Sequence, residues 1–396
     1  MNAVSSYVCR RLLACLVIVA AAGACSPSDG GSGLANAIGT AAAGWAEQRM
    51  SVGFQELVVS QPPCADCLAF EQVAVLRKQG PDEPLPGGWQ SGVVDRGGNF
   101  WVGQGGMIRV FDPGGMFLRD VGRPGQGPFE FQRGRPVFID RHGNVHVYDA
   151  TNARETVIRS DDFTLVDTIP TIQAGDHIAP LPDGSYVMAR WAATSERIGF
   201  PLHIFDGTKI IRSFGLPSAA DERPLTQFTA QRVVATDPMG HIFSAEPYRY
   251  LVEAWTTDGI RILGFEGPEL NDREIPGGVW TDINPPPQAR IFGIRVYDGD
   301  RLFVLSHQRR ENWFDAAREV IQPNGSVHLE SASGELDDFY TSRVDVLDLS
   351  TGTLIASGAH DRILVQFLDD YRVSDFGVTE GGDFRVAIWR MNLVSK

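Results

Sequence analysis

The chain has 396 residues, of which 43% are hydrophobic and 21% are charged, and its formal net charge is −14 at pH 7. That acidic balance argues against nucleic acid as a partner, because such binding depends on neutralising phosphate groups with Lys and Arg. The 43 glycines and 24 prolines indicate a turn-rich chain. Short β-branched and aromatic runs recur along it, which predicts an all-β protein.

The N-terminal residues 1–24 have the order of a secretory signal peptide. A basic pair, Arg10 and Arg11, precedes the apolar stretch 12–24, which is shorter than the roughly 20 residues that span a bilayer. The end of the stretch, Ala-Gly-Ala-Cys25, resembles the lipobox of bacterial lipoproteins. The resemblance implies that Cys25 carries lipid, palmitate included, as the mature N-terminus. Ordinary signal cleavage beside an incidental cysteine is the alternative.

Residues 25–50 are rich in Gly, Ser and Ala, a composition typical of a flexible tether. Together with a lipidated Cys25, this segment would hold a globular body, residues 51–396, at a membrane surface. Ser26 follows the cysteine where an Asp would signal retention in the enterobacterial sorting rule. We therefore expect a lipid-anchored monomer of the cell envelope or periplasm, at the outer membrane.

Cys64 and Cys67 are the cysteines of the mature body that remain once Cys25 takes lipid. In an oxidising compartment such a pair is typically a disulfide. The C-x-x-C spacing also fits a redox motif, but that motif needs a helix N-terminus in a βαβ setting. A strand-like segment follows here, at 68–76, which favours a structural bridge.

One pattern recurs along the body: an apolar strand, a tight turn around Gly, and a second apolar strand; the fifth copy departs from it, with Asp300 in place of Gly. Its six copies lie at 92–103, 136–148, 178–189, 233–245, 294–306 and 375–388. A second hairpin follows five of them, at 108–122, 155–169, 202–215, 251–265 and 343–358. Six units, five of them with two hairpins, match the four-stranded blades of a β-propeller.

The sixth unit stops short, because the chain ends soon after Val386. An N-terminal hairpin made of 54–60 and 69–76 would supply the missing strands and remove the open edges of the ring. The sequence therefore predicts a six-bladed β-propeller with four antiparallel strands per blade, closed by that hairpin. The cysteine pair would pin the tip of the hairpin at the seam of the ring.

The Gly-rich segment 121–131, VGRPGQGPFEF, lies between the first and second units. A dinucleotide-binding loop needs a helix after it, whereas another strand follows here, so we interpret the segment as a blade-to-blade connection. This connection and the D-x-x-G-N turns at 95–99 and 140–144 resemble the six-bladed β-propeller lipoproteins related to NHL-repeat proteins. The resemblance covers residues 51–396 and implies the fold and export, with no assigned chemistry.

Propellers bind ligands along the central channel, near the points where the innermost strands begin. The candidate ligand-binding residues at those points are Arg135, His177, Arg232, Arg290 and Arg372. Several Arg on one rim of an acidic chain could hold an anion, since guanidinium forks match carboxylates bidentately. The alternative is that these Arg pair with neighbouring Asp or Glu and order the ring.

The fifth unit carries an insertion at about 308–340. Its first part, 311–320, predicts a short helix capped by Asn312. Four of its residues suit either a lid over the channel or a loop packed on the core: Trp313, Phe314, Arg309 and Arg310.

Known catalytic signatures do not occur in the sequence. The histidines His142 and His146 straddle a turn without a third ligand, and a zinc site usually offers three or four. We therefore predict no metal centre, cofactor or catalytic residue. The expected function is a non-catalytic, envelope-tethered binding or scaffolding propeller whose partner is a protein, peptide or glycan. A metal-dependent propeller hydrolase, lactonase or lyase is the alternative.

Overall fold

The computed structural model describes residues 55–58, 64, 67–77, 89–104, 106–171, 177–189, 200–215, 231–267, 270, 288–321, 327–331, 333, 336–378 and 384–394. The predicted signal peptide, the tether and Cys25 lie outside these residues. No helix in the described ranges is long and apolar enough to cross a membrane. The regular structure of these ranges is β-strand, with one 3₁₀ turn at Leu336–Asp338.

The strands form six four-stranded sheets, which are the blades of a propeller. Two strands precede them, β1 (Gln55–Val58) and β2 (Leu68–Val75). Blade 1 contains β3 (Trp89–Val94), β4 (Phe100–Gln104), β5 (Met107–Phe111) and β6 (Phe117–Val121). The short pair β7 (Arg123–Pro124) and β8 (Glu130–Phe131) leads to blade 2, which contains β9 (Gly134–Ile139), β10 (Asn144–Asp149), β11 (Arg154–Arg159) and β12 (Leu165–Pro170). Blade 3 contains β13 (His177–Pro180), β14 (Tyr186–Ala189), β15 (Leu202–Asp206) and β16 (Lys209–Phe214).

Blade 4 contains β17 (Val233–Thr236), β18 (Ile242–Ala245), β19 (Leu251–Trp255) and β20 (Arg261–Glu266). Blade 5 contains β21 (Arg290–Tyr297) and β22 (Arg301–Arg309), then an inserted hairpin of β23 (Ala317–Ile321) and β24 (Val327–Ser331), and finally β25 (Tyr340–Asp348) and β26 (Leu354–His360). Blade 6 contains β27 (Leu364–Phe367), β28 (Arg372–Asp375), the small hairpin of β29 (Gly377–Val378) and β30 (Phe384–Arg385), and β31 (Ala387–Leu393). Its outermost strand is β2.

The innermost strands β3, β9, β13, β17, β21 and β27 contact one another in that order, and β27 contacts β3 again. Gln366 in β27 closes the ring with its side chain: its Nε2 donates to the Gly92 carbonyl over 2.9 Å, and its Oε1 accepts from the Gly92 amide over 2.8 Å. The side-chain amide of Gln366 thus supplies hydrogen-bond partners for backbone groups on the inner edge of β3, where no further strand lies beside it. The predicted six-bladed, all-β propeller is confirmed.

The core lies between consecutive blades, because each sheet buries both faces against its neighbours. Between blades 1 and 2, for example, Trp101 and Ile108 pack with Val145 and Val147 in one cluster of fully buried side chains. Alternating apolar residues on these strands therefore fill the wedge between two sheets, as the period-two pattern of the sequence predicts.

The last blade is closed by the N-terminal part of the chain, but the predicted hairpin is wrong. The strand β2 pairs antiparallel with β31 and supplies a single outer strand. The strand β1 instead pairs in parallel with β20 and widens the sheet of blade 4 to five strands. A hairpin would need the two segments to pair with each other, whereas each finds the open edge of a different blade.

The N-terminal segment therefore acts as a belt, which we define as β1, Cys64, β2 and Arg77. Cys64 pairs in parallel with Ala356 on the outer strand of blade 5, and Arg77 pairs with Met116 at the outer strand of blade 1. The belt thus crosses the outer edges of blades 4, 5, 6 and 1. Its path past blade 5 is close: a Cβ at Gly358 would lie 2.6 Å from the Leu68 carbonyl oxygen.

The sixth unit also differs from the sequence prediction by one strand. The hairpin assigned to 375–388 as the first two strands spans the second and third, and the innermost strand is β27 at 364–367. The turn after β27 lacks glycine, and the Asp369 carboxylate stabilises it by accepting the amides of Tyr371 and Arg372, each over 2.8 Å. A search for Gly turns therefore missed it.

The insertion in blade 5 is a hairpin and a turn, so the predicted helix at 311–320 is wrong. Residues 311–316 form turns, and the Arg-Glu-Val-Ile run that follows enters β23. β-branched residues favour this pleated surface over a helix. Trp313 is buried at 2% exposure, whereas Phe314 is 58% exposed, so one aromatic residue anchors the loop and its neighbour points to solvent.

Candidate functional site

The pairing of the strands defines two faces of the ring. We call the end at which the innermost strands begin the entry face, and the end at which they turn into the second strand the turn face. The register of blade 1 shows the two ends: Trp89 pairs with Gln104 at the entry face, and Val94 pairs with Phe100 at the turn face.

Four of the five predicted rim residues lie at the entry face. Arg135, His177 and Arg290 are in the first residues of β9, β13 and β21, and Arg232 directly precedes β17. Arg372 is separated from them, because it begins β28, which is the second strand of its blade. It lies at the turn face.

Arg232 and Arg372 both pair with carboxylates. Arg232 is 2% exposed and its Nη2 lies 3.3 Å from Oε1 of the equally buried Glu246. The Nε of Arg372 lies 3.6 Å from Asp369 Oδ2, and its guanidinium carbon lies 5.8 Å from the ring centroid of Phe100. These two residues follow the alternative that the sequence left open, in which the cations order the ring.

Arg135 and His177 are half-buried at the strand starts of blades 2 and 3. Arg135 pairs across the sheet with Tyr148, and His177 pairs with Ala189. Both residues therefore lie where an innermost strand begins.

Arg290 differs from these residues because it belongs to a cluster on one face of blade 5, which we call the blade-5 cluster: Arg290, Phe292, His307, Arg309 and Tyr340. Cross-strand register pairs Arg290 with His307, and Arg309 with Tyr340. Directly paired residues in a sheet share a face, as do residues two positions apart in a strand. The guanidinium carbon of Arg290 lies 5.0 Å from the Phe292 ring centroid, and that ring stacks on His307 at 4.5 Å.

The imidazole of His307 is held neutral. Its Nε2 donates to the Leu364 carbonyl in blade 6 over 2.8 Å. Burial, together with the nearby charge of Arg290, lowers the pKa of His307 to about 4. The hydrogen bond to Leu364 opposes this fall. His307 therefore contributes a flat aromatic surface at neutral pH, and the positive charge of the cluster comes from arginine.

Tyr340 lies at the outer side of the cluster, 6.2 Å from His307 between ring centroids. Burial raises the pKa of Tyr340, and the positive charges of Arg290 and Arg309 and a backbone hydrogen bond from Gln288 oppose that rise. Its hydroxyl thus remains protonated at neutral pH and is available as a hydrogen-bond donor.

The two cations of the cluster have no carboxylate partner in the part of the chain that the structure describes. Within the described ranges, no carboxylate oxygen lies within 4 Å of the Arg290 or Arg309 guanidinium group, and neither group donates a hydrogen bond. The adjacent Arg310 shows the contrast, because it donates to the carbonyl oxygens of Asp337 and Asp361, over 2.6 Å each.

Carboxylates at the entry face are already bound. Asp149 is fully buried and accepts the amides of Gln132 and Thr151 over 2.7 and 3.1 Å. Asp375 is also fully buried and accepts the Ala387 amide over 2.9 Å and the Trp389 indole N–H over 3.1 Å. These two carboxylates stabilise the ends of strands. They do not neutralise the positive charge of the blade-5 cluster.

The connection at 121–131 is also closed by its own residues. Glu130 accepts the Gly127 amide over 2.7 Å and lies 2.6 Å from Nη2 of Arg123. The Gly127 hydrogen bond, more than any other contact, lowers the pKa of Glu130. The Glu130 carboxylate therefore already accepts the backbone N–H that a phosphate would need. This agrees with a blade-to-blade connection.

The D-x-x-G-N turns have a structural explanation. Asp95 accepts the Asn99 amide over 2.9 Å, and Asp140 accepts the Asn144 amide over 2.8 Å. Gly98 and Gly143 in these turns have φ angles of 83° and 87°, which glycine adopts without strain. The motif therefore sets the geometry of the turn face.

His142 and His146 have different partners. His146 lies between Asp140 and Glu155, with its Nε2 3.3 Å from Asp140 Oδ2, while His142 accepts from the side chain of Arg141 over 3.2 Å. Among the described residues, no group of three or more His, Cys, Asp or Glu is arranged to hold a metal ion.

Cys64 and Cys67 are a disulfide-capable pair in the belt. The Cys64 carbonyl accepts the Ser357 amide of blade 5 over 3.0 Å, and the Cys67 carbonyl accepts the Val394 amide after the last strand of blade 6 over 2.8 Å. The pair therefore lies in the belt between the outer strands of blades 5 and 6, and not, as the sequence predicted, at the tip of a hairpin that closes the ring.

Sequence reasoning found Arg290 and assigned Arg309 to a lid or a packed loop, but it missed His307 and Tyr340. His307 and Arg309 occupy alternate positions at the end of β22, and Tyr340 begins the strand after the insertion. The alternation was visible in the sequence. The pairing of Arg309 with Tyr340 across the insertion was not, because the intervening hairpin separates them along the chain.

No protein-family model and no curated protein sequence matches this chain. Solved structures do match it. An exported protein from Bacteroides fragilis is 12% identical, with 87% of this chain and 100% of that chain covered and a TM-score of 0.51. A protein from Bacteroides caccae is 11% identical over 70% of this chain and 89% of that one, with a TM-score of 0.41. Virginiamycin B lyase from Staphylococcus aureus is 10% identical over 82% and 98%, with a TM-score of 0.38. The similarity to the first of these shows the fold.

Proposed function

We propose that this protein is an exported propeller, tethered to the cell envelope through a lipidated Cys25, that binds a ligand or partner on its entry face without catalysing a reaction. The observation that carries the binding role is the blade-5 cluster. It presents cations and an aromatic surface at the entry face, while the neighbouring carboxylates are bound within the protein.

The chemistry of this face supports recognition more than metal-dependent hydrolysis. Metal-dependent catalysis in a channel needs carboxylate or imidazole ligands that are free to converge. At the entry face, Asp149 and Asp375 accept backbone hydrogen bonds, and His307 is committed to Leu364.

Export and tethering are supported by the N-terminal sequence. Residues 1–24 have the order of a signal peptide, and Cys25 follows a lipobox-like segment. The similarly folded protein from Bacteroides fragilis carries the name of an exported protein.

Tethering predicts that the protein incorporates a palmitate analogue and that Cys25→Ser abolishes the label. Cys9→Ser is the matched control, since Cys9 lies within the signal peptide, and it should leave labelling unchanged. Equal labelling of all three proteins would contradict the lipid anchor.

The binding face can be mapped by hydrogen exchange on the full-length protein in mild detergent, once a screen of acids, amines, sugars and peptides identifies a ligand. We expect protection at the starts of the innermost strands, such as 288–292 and 134–136. Protection confined to the turn segments 95–99 and 140–144 would show that the ligand binds the opposite face and would overturn the proposal.

A further inference from the structure

The blade-5 cluster has the composition of an oxyanion site. Arg290 and Arg309 lie on one face of the sheet, on the strands β21 and β22, and the side chains of His307 and Tyr340 lie beside them. A half-buried guanidinium group with no internal carboxylate depends on water or a ligand to replace the hydration that burial removes. The cluster is therefore set up for an anion from outside the chain.

We propose that Arg290 and Arg309 bind an organic oxyanion, such as a carboxylate, at the entry face of blade 5, with the Tyr340 hydroxyl as a third donor. This inference rests on the proposed function and names the ligand class and the residues that hold it. Guanidinium groups offer paired N–H donors that match the two oxygens of a carboxylate.

The cluster also restricts what the ligand can be. Phe292 lies under the Arg290 guanidinium, and His307 stacks on Phe292. This stack holds one guanidinium in a fixed plane, which lowers the entropy lost when a ligand binds. Because His307 is neutral and already donates to Leu364, the ligand meets positive charge from arginine alone.

The test is calorimetric titration of the full-length protein in detergent with succinate and with sulfate at low ionic strength. We expect succinate to bind, and Arg290→Gln or Arg309→Gln to weaken that binding by about tenfold each, because each removes a charge-assisted hydrogen bond. Arg133→Gln is the matched control. Arg133 is an exposed arginine at the entry face of blade 2, and its loss should change affinity by less than about twofold.

Sulfate separates carboxylate recognition from general anion attraction. Sulfate binding as tight as that of succinate, with the same dependence on Arg290 and Arg309, would show an oxyanion site without preference for carboxylates and would overturn that part of the proposal. Unchanged binding in the Arg290→Gln/Arg309→Gln double variant, or an equal loss in Arg133→Gln, would overturn the site itself.

Failure of this inference can be told apart from failure of the proposed function. If neither succinate nor sulfate binds the wild-type protein, the oxyanion site is wrong. A ligand of another class that protects 288–292 or 134–136 from exchange would still support binding at the entry face. A ligand that protects the turn face alone would remove both.

Discussion

The two faces of the ring use charged residues in opposite ways. At the turn face, Asp95, Asp140 and Asp237 each accept amide hydrogen bonds from the turn that they begin. At the entry face, two arginines of blade 5 have no carboxylate partner among the described residues. A charge that is satisfied within four residues of chain builds a turn, whereas a charge left without an internal partner is available to a ligand.

The same distinction divides the arginines of the entry face. Arg232 is buried against Glu246, while Arg290 lies over an aromatic ring and is half-buried. Residue type and position in the strand are nearly the same in the two blades. The partner across the sheet decides which cation is paired within the ring and which one we propose as a ligand contact.

The largest effect is expected from breaking the buried pair. Arg232→Met removes the cation that lies 3.3 Å from the buried Glu246 carboxylate and should lower the free energy of unfolding by about 4 kcal/mol. Denaturant titration measures this change in the free energy of unfolding. The double variant Arg232→Met/Glu246→Leu should recover most of that loss, because no buried charge then remains. A double variant no more stable than the single one would show that the pair is not the reason for the loss.

The stability lost when a turn aspartate is replaced should depend on how deeply its hydrogen-bond partners are buried. Asp95→Ala removes two hydrogen bonds that Asn99 donates to the Asp95 carboxylate. It also removes the acceptor of the indole N–H of the fully buried Trp101, which donates to Asp95 over 2.8 Å in the wild-type protein. We expect a loss of about 3 kcal/mol. Asp112→Ala, which removes amide contacts in an exposed turn, should cost about 1 kcal/mol. Thermal or denaturant unfolding compares them, and equal losses would contradict the role of Trp101.

The smallest of the three main effects is a pH dependence of the free energy of unfolding that comes from His307. Its pKa of about 4 in the folded protein lies below the ordinary 6.5, so the unfolded chain binds a proton between these values and the folded protein does not. The stabilisation is complete above pH 6.5 and is lost as the pH falls towards 4.

Between pH 7 and pH 5 the wild-type protein should therefore lose about 2 kcal/mol more than His307→Gln does. Gln retains an N–H donor for the Leu364 carbonyl, and the titration of carboxylates is common to both proteins. Denaturant titrations at the two pH values measure the difference. Parallel losses in the two proteins would show that His307 is not buried as a neutral group.

Much of the fold could be predicted because its signals are local. Strand alternation and the Asp and Gly of the turns act over a few residues, so the first two strands of blades 1 to 5 were found from the chain alone. The turn after β27 was missed because Asp369 stabilises it without glycine. Pairing partners of the N-terminal strands could not be predicted, since open strand edges accept any segment of suitable pattern.

The candidate site could be predicted only in part. Counting along the strands placed Arg135, His177, Arg232 and Arg290 at one end of the ring. The same count placed Arg372 with them because it missed a strand. Which cations carry internal partners was beyond the sequence, because Glu246 and Arg232 meet only after β17 and β18 pair.

The sequence by itself determined the number of blades, the chemistry of the turns and the acidic balance that disfavours nucleic acid, since each depends on composition or on neighbours along the chain. Only the tertiary structure decided the path of the belt, the strand that closes blade 6 and the convergence of Arg290, Arg309 and Tyr340. These depend on pairings between segments far apart in sequence, and the free energy of such pairings is set by which edges and cavities the rest of the fold leaves open.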